Sequence, residues 1–573
     1  MTRPQQATAY SGLHEKVRQD AATRNLCAGV YVDRAFRDLV IRRVYCDVKH
    51  RVAPAYGFEL IPVVRHAWWA WTLDAARYVT LVAVFVIGFS SNTPAAVVTV
   101  SGLVACCLAR VLLHNTRALL PLKARAVRNS LLRQPRWNSE VARLREHTRL
   151  AQISMWACLA LLVVPLVVAW VTGVPLTEVM RQAGTLAVLA AMVTAGSEAV
   201  RQLLIDTLDR PVEPDTESVL GGRLKAIHHQ EQHPLVVYPR TRPVAPDDPV
   251  APVMLAEDDG KADDPTLFFG SGKLVHRWKP PLVVRLVQRD QNMTGESWEI
   301  VPPFPAHELV DHLRETIRGL RRIEGPTRLR GLEVHDRLYV AEEDVAGDRA
   351  WLRDEPTPGD IDGIIDAHFT MVHHFLEIRV SDTGEVVTTV FLRVTIKGRA
   401  LSLDFAACAL TRTPVEYQML NAFTPSGAGG VIRSALRGAW ELPRTLISSW
   451  RVVEVPLMLF RVARVGHAQR RSRGATVGPR LSIRQLKTTK WNEARLDHFT
   501  IQDHIKIIEQ HLLKAAEEFL SDKGLDTSAF KTQATTIINS GVLNMGGKTE
   551  VNQSTVGTNS ELRLDTRVGD GEN

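Results

Sequence analysis

"AQISMWACLALLVVPLVVAWVTGV", Ala151 to Val174, holds no charged residue from end to end. A helix of that length crosses roughly 30 Å of hydrocarbon at about 1.5 Å per residue. Helices on the surface of water-soluble proteins keep a polar face, and this stretch has none. Pro165 would kink it, which membrane helices tolerate. The expectation is a membrane span, and it sets how the flanking sequence is read.

"PAAVVTVSGLVACCLARVLL", Pro94 to Leu113, is a second span, with Arg110 near one end and able to snorkel. Before it runs "AWWAWTLDAARYVTLVAVFVIGFSS", Ala67 to Ser91, where Trp68, Trp69 and Trp71 suit an interfacial aromatic belt. Asp74 and Arg77 in its first turns need partners or lipid headgroups. The short link "SSNTP" makes these two spans a tight hairpin. The fourth span is "AGTLAVLAAMVTAGSEAVRQLLI", Ala183 to Ile205, interrupted by Glu198 and Arg201. Three residues apart, they can neutralise each other on one helix face. An ionisable pair inside a membrane is a functional candidate by default, but a place near the span's end favours a structural pair.

Loop charges orient the set. "HNTRALLPLKARAVRNSLLRQPRWNSEVARLREHTRL", between the second and third spans, is dense in Arg, whereas the other two short loops hold almost no basic residue. By the positive-inside rule this loop is cytoplasmic, and so are both termini. The expected location is a bacterial plasma membrane, multi-pass. Residues 1–30 carry no apolar h-region, so no cleaved signal peptide is expected.

Composition agrees with a hybrid of membrane and water-soluble parts. The 573 residues include 23% charged side chains at a net charge of +8, with a mean hydropathy of -0.05. Arg outnumbers Lys beside the apolar stretches, which favours a bilayer with anionic headgroups as a partner over nucleic acid. The six cysteines form no CxxC pair, and three lie in apolar segments, so a reducing compartment is expected.

The expected fold class is a membrane α-helical part of four spans plus a cytoplasmic α+β domain with an antiparallel sheet, a C-terminal helix and a β-ribbon tail. A helical N-terminal region, 1–66, precedes the hairpins 67–114 and 151–205, which flank the basic loop 115–150. Residues 206–265, rich in Pro and acidic side chains, read as an extended linker. Across 266–414, runs such as "FTMVHHFLEIRVSD", "EVVTTVFLRVTIKG" and "RALSLDFAACAL" alternate with the turn signals "SDTGE" and "KGRA", which implies an antiparallel meander. "PAHELVDHLRETIRGLRRI" is an amphipathic helix among these strands. Residues 415–498 form a basic amphipathic helical region. Within it 431–474 mixes Trp440, Trp450 and Arg451 with apolar residues, fitting a helix on anionic headgroups or one packed on the sheet.

No motif carries catalysis. "FFGSGKL" lacks the spacing and the hydroxyl of a phosphate loop and reads as a turn. "PSGAGGVIRSAL" could present amides to an anion but reads as a loop. "HHQEQH" does not have the zincin order. "DAHFTMVHHF" would place Asp366, His368 and His374 on one face of a strand, a weak metal candidate that ordinary sheet histidines also explain. No cofactor is expected, and nucleic acid is not an expected partner.

"TIQDHIKIIEQHLLKAAEEFLSDKG", in the segment 499–524, spaces Ile501, Ile505, Ile508, Leu512 and Phe519 as a heptad seam. A short coiled coil has this periodicity, and so does a helix packed on its own domain. The tail 525–573, with "TTIINSGVLNMGGKTEVNQSTVG", has too few large apolar residues for a core of its own. Helix and tail together point to a homo-oligomer or to a cytosolic protein partner.

"PTLFFGSGKLVHRW" and "YGFELIPVVRHA" resemble segments of uncharacterised four-span membrane proteins of high-GC bacteria with a cytoplasmic C-terminal domain. The resemblance covers about a third of the chain, implies a membrane scaffold, and carries over no functional residue. The expected function is a non-enzymatic membrane scaffold or receptor for a cytosolic assembly. A transporter or channel subunit and a membrane-bound enzyme are the alternatives.

Overall fold

The computed structural model describes residues 21–131, 138–208, 221–238, 268–288, 302–322, 328–345, 355–367, 371–381, 384–418, 427–471, 478–494 and 496–540. Two short helices open it, α1 (Ala21–Val32) and α2 (Arg34–Leu39). Asp33 caps the second, its carboxylate accepting from the Phe36 amide at 3.0 Å. A π-helical stretch, Val40–Tyr45, follows. Then come α3 (Leu60–Ser91), α4 (Thr93–Leu131), α5 (Asn138–Thr172) and α6 (Leu176–Thr207).

Each of these four helices is long and apolar enough to cross a membrane. Their outward surface is apolar too, with Ile87, Leu162 and Trp170 exposed by 63%, 65% and 86%. Such a surface suits lipid, not water. Asn92 bonds Gln182 at one end of the bundle, and Arg77 bonds Glu198 towards the other. α4 and α5 run on through most of 115–150, so the expected basic loop is two helical extensions around residues 132–137, which lie outside the described set. Its Arg, Leu and Ala are strong helix formers, which a reading of loop charge overlooks.

The expected linker is also more ordered than its composition suggests. α7 (Gly222–Gln232) and β1 (Leu235–Tyr238) arise inside it. The Pro and acidic residues crowd into its flanks and mask "LKAIHHQEQHPLVVY" between them.

Next come β2 (Lys273–Arg277), β3 (Leu282–Arg285), α8 (Ala306–Gly319), β4 (Leu332–Ala341), α9 (Pro358–Asp366), β5 (Val372–Ser381), β6 (Val387–Lys397) and β7 (Ala400–Leu410). The strands form a 7-stranded sheet ordered β1-β4-β5-β6-β7-β2, with β3 also on β7. From β4 to β7 it is the antiparallel meander its turns imply, and Gly398 at φ 59 lets Lys397 pair Ala400 across a tight hairpin. β1, however, lies parallel to β4. The sheet is therefore mixed, not purely antiparallel, because a parallel partner arrives from far along the chain and leaves no local turn signal.

Both sheet faces are buried. On one, Leu376, Leu392 and Phe405 pack with α8, α12 (Asp497–Asp522) and α13 (Ser528–Ser540). On the other, Phe268 stacks on Phe391 at 3.9 Å, beside Tyr56, Tyr339 and Cys408. Ile501, Ile505, Ile508, Leu512 and Phe519 all face the first core. The heptad stripe is thus consumed within the chain; a helix on its own sheet has the same spacing as a coiled-coil seam. Thr535 to Ser540, the start of the expected ribbon, are the end of α13, and residues 541–573 lie outside the described set.

Before α12, α10 (Ala428–Ile447), a 3-10 stretch (Ser448–Val453) and α11 (Glu454–Arg471) fill the region read as interfacial or sheet-bound. α10 packs on the bundle, where Leu442 joins Leu81, Phe85, Leu186 and Ala190.

Candidate functional site

The N-terminal helices are the joint between the bundle and the sheet. Asn25 donates to the buried Glu385 at 2.6 Å, and Thr413 donates to it through both amide and hydroxyl at 2.8 Å. Asp33 receives Lys487 and the Tyr417 hydroxyl, each at 2.9 Å. Arg223 of α7 donates to the backbone carbonyls of Val44, Tyr45 and Asp47 at 2.7 to 3.0 Å. Gly29 lies so close to Tyr417 that a Cβ would stand 2.6 Å from its ring.

At this joint a cavity of about 730 Å³ opens between the base of α3, α7 and strands β4 and β5. Its lining is polar, with Glu59, His228, Glu231, Gln232, Glu333, His335, Asp336, Arg337 and Arg379 beside Phe58, Ile61 and Pro62. Glu377 lies beneath, fully buried, and receives Arg337 and Arg379, each at 2.8 Å, and the Tyr56 hydroxyl at 3.2 Å. Burial pushes its carboxyl up, but Arg337 and Arg379 outweigh that and hold it at about 2. Arg337 also donates to the His233 carbonyl at 3.1 Å, and Arg379 lies over the Tyr56 ring at 4.7 Å.

Glu231 behaves differently. It accepts the Leu60 amide, the first turn of α3, at 3.4 Å. Burial first, and the nearby Glu59 further, push its carboxyl up to about 7, against that hydrogen bond and Arg379. One wall of the cavity thus holds a fixed charge pair and the other a carboxyl that exchanges its proton near neutrality. None of the lining residues is Ser, Thr, Cys or Lys.

A second polar cluster lies at the bundle's base. Asp74 pairs with Arg34 at 2.9 Å, Arg37 at 2.8 Å and Arg77 at 3.3 Å. Arg77 continues to Glu198 at 2.8 Å, which also meets Arg201 at 3.3 Å. The pair Glu198 and Arg201 is therefore one end of a network across α2, α3 and α6. Of the tryptophans read as a belt, Trp69 is 52% exposed, while Trp68 and Trp71 pack edge to face on each other at 5.6 Å and lie against the core of the N-terminal helices. Trp440 and Trp450 are 70% and 64% exposed, and Arg451 lies over the Trp450 ring at 5.8 Å.

The residues of "DAHFTMVHHF" part company. A capping box of Thr357 and Asp360 starts α9, which ends at Asp366, so strand alternation does not reach back to it. Asp366 bonds His307 at 2.6 Å, and His374 bonds Asp336 at 2.8 Å. Burial raises the Asp336 carboxyl, but His374 and Arg314 bring it down to about 2. His368 lies outside the described residues. Among the described residues no three His, Cys, Asp or Glu gather as metal ligands. "FFGSG" is a turn whose Gly272, at φ 96, would drive a Cβ to 2.1 Å from the Ala409 carbonyl oxygen. The Gly427 amide at the start of α10 already meets Asp206 at 3.4 Å.

Sequence reading reached Glu231 only within "HHQEQH", set aside for lacking the zincin order, and missed Arg337 and Arg379 on the lining and Tyr56 and Glu377 beneath it. One signal was present. Glu333, His335 and Arg337 on β4 face Arg379, Glu377 and Phe375 on β5, so charge recurs with period two on adjoining strands. Charge on alternate residues of a strand whose other face is core marks a lined surface.

Comparison with known proteins bears on the second half of the chain. No curated protein and no solved structure matches it. Residues 278–552, from just before β3 past the end of α13, match the family model of the AbeC-like domain, which leaves out the four apolar helices and the α7 side of the cavity.

Proposed function

We propose that the chain is a non-enzymatic multi-pass scaffold or receptor in a bacterial plasma membrane, with both termini cytoplasmic. Its α+β domain, together with residues 541–573, holds a cytosolic protein assembly at the membrane. The observation that carries this reading is the joint. Polar contacts from Asn25 of α1, from Asp33 at the start of α2 and from His233 at the end of α7 reach Glu385, Tyr417, Lys487 and Arg337 of β4, so the domain is held in one orientation on the bundle. A fixed orientation suits a platform that presents a surface more than a domain on a loose tether. Self-association, in this reading, rests on the tail and not on the α12 stripe.

Crosslinking in native membranes followed by pull-down tests it, comparing the full chain with one ending at Ser540. The full chain should recover a cytosolic protein set that the shorter chain loses. The same set from both, or none from either, rejects the proposal.

A further inference from the structure

α10 has three faces. At about 100° per residue, Ser434, Gly438, Leu442 and Thr445 share the arc turned to the bundle. Ile432, Leu436, Trp440 and Ile447 share the next, and are 59% to 70% exposed. Arg433, Arg437 and Arg444 form a row beside them, also exposed. The apolar face continues past the helix through Trp450, Val453, Leu457 and Phe460, each more than half exposed.

The inner face fixes where this surface lies. The Gly427 amide meets Asp206 at 3.4 Å, and the Ser434 hydroxyl donates to Gln202 at 3.1 Å. Gly438 touches α6 so closely that a Cβ would stand 2.6 Å from the Thr194 carbonyl oxygen and 2.8 Å from Glu198. Leu442 then packs with Leu186 and Ala190. α10 therefore climbs antiparallel to α6, from its C-terminal end to its middle.

Charged side chains on three spans mark a polar level across the bundle: Arg77 and Glu198 are paired, Arg201 is beside them, and Arg110 bonds the Trp440 carbonyl and stacks on its ring. Gly438 and Trp440 lie at that level. From there α10 rises about 13 Å further into the apolar belt, and the 3-10 stretch meets α3 around Val82, where an open groove of about 580 Å³ is lined by Leu446, Ile447, Trp450, Val453 and Leu457. α11 then returns, its Met458 buried with Ile61, Val64 and Trp68 near the start of α3.

We infer that residues 438–461 are a re-entrant hairpin seated in the leaflet nearest the α+β domain, with its outer apolar face on phospholipid acyl chains and with Arg433 and Arg437, just before it, towards anionic headgroups. The occupant follows from continuity: Trp450, Val453 and Leu457 share a groove with Val82 of α3, and α3 turns Val79, Val86 and Ile87 outward, 47% to 63% exposed. A surface of this size would be an aggregation liability in water. Neither a helix lying flat on the membrane nor one resting on the sheet has these contacts. The inference depends on the four apolar helices spanning a bilayer and not on the scaffold reading.

The test uses the full chain in phosphatidylethanolamine and phosphatidylglycerol vesicles carrying a phospholipid with a photoactivatable group midway along its acyl chain. After irradiation, lipid adducts are mapped on tryptic peptides. Adducts are expected on 445–451 and 452–461 as well as on the spans. Adducts confined to the four spans overturn the inference, because protein then covers the face. A second probe, with the photoactivatable group in the headgroup, should mark 433–437 and spare 445–461. Labelling of 445–461 by the headgroup probe alone places the hairpin at the surface and also overturns it.

Discussion

Glu231, on the wall of the cavity, and Glu377, buried beneath it, show how environment splits two identical side chains. Glu231 carries a folded pKa of about 7 against 4.5 for an ordinary Glu. A raised folded pKa means that its contribution to stability is complete below about 4.5 and is lost as pH rises through about 7. α7 should therefore grip the base of α3 most firmly in acid. Glu231→Gln should flatten the decline of the unfolding midpoint between about pH 5 and 8, an effect of at most about 3 kcal/mol before solvent screening; equal slopes in parent and variant would reject this. For Glu377 the prediction is a plain loss. Glu377→Ala leaves Arg337 buried with its partner gone, which costs about 3–5 kcal/mol. Thermal unfolding in detergent reads that cost, and an unchanged midpoint would show that water replaces the carboxylate.

At the scale of elements, α12 is a packing helix, and its prediction separates packing from assembly. Ile505→Ala should destabilise the chain by about 2–5 kcal/mol while leaving its molar mass by light scattering in detergent unchanged. A fall in mass at equal stability would restore the seam to an oligomer interface. Ending the chain at Ser540 should leave the unfolding midpoint in place, whereas ending it at Gly524 should lower it, since Phe530 is fully buried. The four long apolar helices, the meander and the amphipathic helices were legible because each rests on local composition, periodicity and turn chemistry. Three features were not. β1 pairs in parallel with a strand about a hundred residues on. α10 alternates apolar and Arg faces, which describes a flat-lying helix and a re-entrant one equally well. The cavity joins residues from α3, α7, β4 and β5, and only the charged alternation on two strands and the "HHQEQH" run marked it in the sequence.

Taken whole, the molecule does not divide where the family match begins. Residues 278–552 contain β3 to β7 but neither β1 nor β2, and neither Tyr56 nor Phe268. Expressed alone, that fragment should be insoluble or molten, because Phe391 and the Glu377 pair lose their cover. A cooperative, soluble fragment would show that the joint is an accessory. The joint also has a consequence in time. Asp33 and Lys487 are 454 positions apart, and Asn25 and Glu385 are 360 apart. At about 5–20 residues per second of synthesis, Asp33 waits roughly 20 to 90 s for its partner. α1 and α2 are synthesised well before Glu385 and Lys487, so the four apolar helices are made while their own base plate is still half-built.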